Sequence, residues 1–117
     1  MNSILTSIKK LLGLPEDYEC FDQDIIIHIN SAFATLNQLG VGPKDGFVIT
    51  DKNSVWSEFT SNNLQIESVK SYVYLSVRLI FDPPTSGILS DSLTRQKEEI
   101  GWRLNAAVDR RSQNGNN

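Results

Sequence analysis

The chain has 117 residues, 39% hydrophobic and 21% charged. That balance fits one folded domain with a core of its own and excludes a disordered chain. The net charge of −3 gives no global electrostatic case for nucleic-acid binding, and a single cysteine, Cys20, excludes an intrachain disulfide and a multi-cysteine metal cluster.

Residues 2 to 12 read as a first short helix. Asn2 or Ser3 can cap it, and Ile4, Leu5, Ile8, Leu11 and Leu12 share one face. Lys9 and Lys10 suit the negative end of the helix dipole, and Gly13 with Pro15 stops the helix. Such a helix packs on its own domain or lies on a membrane surface, and the first reading is preferred because it is too short to be stable alone. The N-terminus shows neither the apolar stretch nor the cleavage site of a signal peptide, so a cytoplasmic protein is expected.

After a connector over 14–21, Asp22 is an N-cap candidate and a second helix is expected to about Leu39. Ile25, Ile29, Ala32, Phe33, Leu36 and Leu39 form its apolar face. Gly40 in the left-handed position would let Val41 fold back on Leu36. Next, Gly46-Phe47-Val48-Ile49 and Val55-Trp56 are β-prone, separated by the turn-forming Thr50-Asp51-Lys52-Asn53-Ser54. This reads as a small hairpin leaning on the helices through Phe47, Ile49, Trp56 and Phe59.

The stretch from Leu64 to Pro84 is the expected centre of the fold. Ile66, Val69, Val73, Val77 and Ile80 form one stripe at helical spacing, with Tyr72, Leu75 and Leu79 beside it. A helix apolar on so much of its circumference has to be covered on most sides. Ser61-Asn62-Asn63 caps it, and Asp82-Pro83-Pro84 ends it. A last helix is expected from about Ile88 to Arg110, with Leu89, Leu93, Ile100, Leu104 and Val108 on its stripe. Its other face carries Arg95, Lys97, Glu98, Glu99, Arg103, Asp109 and Arg110. Trp102 lies off the stripe and either covers a neighbouring element or marks a subunit contact. The fold class is therefore mainly α: a small bundle of about four helices with a short β-hairpin insertion. Residues 1–111 are expected to form a single domain, and 112–117 a flexible C-terminal tail that either orders on a partner or is an inert terminus.

Chemistry is sparsely signalled. His28, the only histidine, and Cys20 form no evident constellation with a third group. His28 can pair with Asp24 one turn away. No phosphate-binding glycine loop is present, and Gly40-Val41-Gly42 follows a helix where such loops follow a strand. No enzyme activity, cofactor or metal is expected. The late basic residues alternate with acids, which reads as a salt-bridged solvated face.

An ordered set of motifs runs along the chain: Leu11-Leu12-Gly13, Phe21-Asp22, His28-Ile29-Asn30, Gln38-Leu39-Gly40-Val41-Gly42-Pro43, Gly46-Phe47, Trp56, Tyr72-Val73-Tyr74-Leu75 and Arg78-Leu79-Ile80-Phe81-Asp82-Pro83-Pro84. This set resembles the head–tail connector, or adaptor, proteins of tailed bacteriophages and prophages. The resemblance implies a non-enzymatic virion protein that forms a homo-oligomeric ring beneath the portal. It implies as partners other copies of itself, the portal protein, and a tail-proximal or stopper protein. DNA would pass through the channel without sequence-specific binding, and no membrane is involved. Its place would be the head–tail interface of the virion, reached from the host cytoplasm during assembly. Asp51, Lys52, Asn53, Trp102, Arg103, Arg110 and Arg111 are the expected subunit or portal contacts. The competing expectation is a small helical DNA-binding or regulatory module of phage origin, whose affinity would fall steeply with salt.

Overall fold

The computed structural model describes residues 3–115; of Asn63 and of residues 109–115 only the backbone is described. Its helices are α1 (Ile4–Leu11), α2 (Asp22–Gln38), α3 (Trp56–Phe59), α4 (Asn63–Phe81) and α5 (Gly87–Gly115). The chain is 66% helical. The central role expected for the Leu64–Pro84 stretch is met by α4, which packs against α1, α2 and α5. Its Val69, Val73 and Val77 are fully buried, each worth about 1.5–3 kcal/mol of apolar burial.

The helix ends follow local rules. Ser3 caps α1, its hydroxyl accepting from the Thr6 N–H, and Asn62 caps α4 by accepting from the Leu64 and Gln65 N–H groups. At the start of α5 the Ser86 hydroxyl accepts from the Leu89 N–H. The ends of α1 and α2 share one geometry. Gly13 and Gly40 both have positive φ. The Leu14 N–H reaches back to the Lys9 carbonyl, and the Val41 N–H reaches back to the Leu36 carbonyl, each at 2.9 Å. Both are Schellman stops, as the second was expected to be. Phe21 rather than Asp22 occupies the cap position of α2, and Asp22 is its first residue.

The expected hairpin is absent: there is no strand among the described residues, only an isolated antiparallel bridge between Ser3 and Val55. The two β-prone runs do not pair with each other because each has found another partner. On the first run, the side-chain amide of Asn30 in α2 takes both backbone groups of Ile49. Its Nδ2 donates to the Ile49 carbonyl at 2.9 Å, and its Oδ1 accepts from the Ile49 N–H at 2.8 Å. On the second run, the Ile4 N–H donates to the Ser54 carbonyl, joining that segment to α1. Trp56 then begins α3, where the Glu58 carboxylate accepts from the Val55 N–H at 2.7 Å.

The anchoring side chains expected from this region do reach the core. Phe33 of α2 stacks on Phe59 with ring centroids 4.8 Å apart, and it meets Phe47 and Trp56 edge to face. Gly42 makes this cluster possible. It has positive φ, and a Cβ there would come within 2.4 Å of the Phe59 ring.

Some stripe positions are not buried. Ile80 and Leu89 are exposed; at that end Phe81 meets Phe21, the cap residue of α2, with ring centroids 5.3 Å apart. The α5 helix continues past Arg110, the expected end, over the segment read from sequence as a tail, to Gly115. The side chains of Asp109, Arg110 and Arg111 lie outside the described residues, as do residues 116 and 117 altogether.

Candidate assembly surface

The residues expected to make contacts fall on two separate parts of the molecule. Asp51, Lys52 and Asn53 are exposed and form a compact turn, in which the Asp51 carboxylate accepts from the Asn53 N–H at 2.8 Å. This polar tip does not project on a hairpin. The Lys52 carbonyl accepts from the Ser3 hydroxyl at 2.7 Å, which ties the tip to the start of α1.

Trp102 and Arg103 lie on α5. Trp102 is 70% exposed, while Arg103 pairs with Glu99 one turn earlier, in the favoured orientation expected from sequence. Beside Trp102 runs an open groove of about 330 Å3, lined by Leu39, Tyr72, Lys97, Gly101 and Asn105 among others. Gly101 allows close packing here, since a Cβ would stand 3.0 Å from the Tyr72 ring. The Lys97 ammonium sits 5.8 Å from the centroid of that ring, and burial pushes the Tyr72 phenol above its usual range. Asn105 donates from Nδ2 to the Leu39 carbonyl at 2.9 Å, which satisfies a carbonyl left open at the end of α2 and docks α5 onto it. No hydrogen bond or ion pair joins the two parts among the described residues. The backbone of Arg110 and Arg111 extends the same helix.

Sequence reasoning missed Asn30 and Asn105, which position this surface by bonding to the backbone of distant segments. Asparagine in mid-helix is an unfavourable choice on propensity, and that is the only local signal either residue carries.

No group of three or more His, Cys, Asp or Glu residues able to hold a metal ion occurs among the described residues. Cys20 is an exposed free thiol. The neighbouring Cys20 side chain pushes the Tyr18 phenol above its ordinary range. The expected pair between Asp24 and His28 is not formed; the ion pairs of the described residues are Lys9–Asp22, Glu67–Lys70 and Glu99–Arg103. No helix is long and apolar enough to cross a membrane among the described residues.

The described residues form a small, mainly helical fold whose longest helix carries the exposed Trp102. The family model described as "Phage connector protein" matches residues 4–111, so the chain belongs to the phage connector protein family. Neither the curated proteins nor the solved structures contain a match to it.

Proposed function

We propose that this protein is a structural subunit of the phage virion, a head–tail connector that forms a ring beneath the portal, extends the DNA channel and offers a platform for tail attachment. The observation that carries this reading is the family match across residues 4–111, nearly the whole described fold. A closed ring needs two different faces on each subunit, one for each neighbour. The polar tip at Asp51, Lys52 and Asn53 and the Trp102–Arg103 face of α5 lie on different elements, and they are the proposed contact regions, with Arg110 and Arg111 continuing the second. The portal and a tail-proximal protein are the proposed partners, and the subunit acts without catalysis. The net charge of −3 suits a channel that lets DNA slide without gripping it.

Co-sedimentation with the purified portal protein of the same phage tests this. A connector joins the portal and forms large oligomers. A protein that instead stays free and binds duplex DNA with an affinity falling steeply with salt is a DNA-binding module.

A further inference from the structure

The β-prone run Phe47-Val48-Ile49-Thr50 is used by the fold on one side only. A single side-chain amide can satisfy both the N–H and the C=O of one residue only when the two point the same way, which is the geometry of an extended strand. Asn30 does this for Ile49, so Ile49 behaves as a residue in an antiparallel pair. In that conformation the backbone groups of the flanking residues point to the opposite side. Those residues are Val48 and Thr50, both exposed, and residues 46–50 run without turn or bend. No hydrogen bond to the backbone N–H or C=O of either residue is found among the described residues. Val48 is 68% exposed. The segment is thus a short open edge of extended chain that carries the exposed Val48, the feature that natural proteins normally blunt or cover.

We infer that this edge pairs with the same edge of a second copy of the chain. The segment is self-complementary. An antiparallel two-fold pairing centred on Ile49 sets Val48 opposite Thr50 and Thr50 opposite Val48, each pair exchanging its N–H and C=O bonds. In the same register Asp51 falls opposite Phe47, Lys52 opposite Gly46 and Asn53 opposite Asp45, so no like charges meet directly. The left-handed Gly46 (φ 90°) and the Asp51–Asn53 turn end the edge on either side, which limits pairing to this short stretch. Such a contact is isologous and closes at two copies. It is therefore distinct from the heterologous contact of a ring, and it covers the edge of a free subunit.

The test uses the isolated full chain, without portal, so its outcome is independent of the ring reading. Amide hydrogen exchange is followed from about 10 µM to about 1 mM, alongside sedimentation. The expected result is that exchange at Val48 and Thr50 slows at least tenfold on concentration, on the order of what pairing of a previously open amide gives. Ile49 should change little, because its amide is already bonded. The sedimenting species should move toward twice the monomer mass of 13.1 kDa. Val48→Pro removes an outward donor and keeps the extended geometry of its predecessor. It should stay monomeric with an unchanged melt. Val48→Lys, which keeps the backbone donor and places a charge on the edge, should do the same if the proline variant fails to fold. Exchange at Val48 and Thr50 that is independent of concentration overturns the inference. So does a dimer that survives both substitutions, or protection that appears only when a different protein is added.

Discussion

The ammonium of Lys9 lies 2.9 Å from Oδ1 of Asp22, joining the last turn of α1 to the first turn of α2 with the lysine side chain almost wholly buried. The same ammonium donates to the Glu16 carbonyl at 2.9 Å, closing the connector between the two helices. A buried lysine is tolerable only when its charge is met, and here a carboxylate and a carbonyl meet it. Removing the carboxylate with Asp22→Ala leaves that charge buried without its counterion, which costs on the order of 3 kcal/mol. The double variant Lys9→Met with Asp22→Ala, which removes both charges, should cost distinctly less. Urea denaturation of the two variants measures both, and equal losses would contradict the account.

Asn30 holds Ile49 through two bonds at once. Asn30→Ala leaves both backbone groups of Ile49 without their partner, an expected loss of about 1–3 kcal/mol. Exchange of the Ile49 amide should accelerate by more than that of the core amides of α4. An unchanged Ile49 amide would mean that the side-chain clamp does not form in solution.

Gly42 and Gly46 both have positive φ, but only Gly42 faces the Phe59 ring. Gly46→Ala should therefore cost only the backbone strain, about 1–2 kcal/mol. Gly42→Ala carries the same strain plus displacement of an aromatic ring from the Phe33 cluster, and its melting temperature should fall further. Similar melting temperatures for the two variants would argue against the tight packing of Phe59.

Val77 is fully buried in the middle of α4. Val77→Asp places an unpaired carboxylate there, at a cost of several kcal/mol and comparable with the whole stability of a small domain. Circular dichroism should show an unfolded or much less stable chain.

The four longer helices were legible because their signals are local. Apolar spacing, a capping Ser or Asn, and a Gly or Pro stop all lie within one element. The hairpin was misread because its pattern is also local, while its outcome depended on partners far away in sequence: Asn30 for Ile49, and Ile4 for Ser54. The burial of Lys9 was illegible for the same reason. Position alone assigned it to the helix dipole, and only the approach of Asp22 makes its burial tolerable. Of the expected contact residues, the sequence placed Trp102 off the packing stripe, and it is exposed. The groove beside it depends on Gly101, Tyr72 and Asn105, whose convergence comes from tertiary packing.

Trp102→Ala removes the largest exposed aromatic of α5. On the assembly reading it should change stability by less than about 1 kcal/mol, as a surface substitution does, while weakening co-sedimentation with the portal. A variant that melts well below wild type would mark Trp102 as a packing residue instead.

The ring-forming connector role is proposed from the family match. Electron microscopy of the protein mixed with its cognate portal tests it most directly. A ring-forming connector gives closed rings of the protein seated on one face of the portal and continuing its channel. Bare portals, with the protein left as free monomers or dimers at saturating concentration, would contradict it.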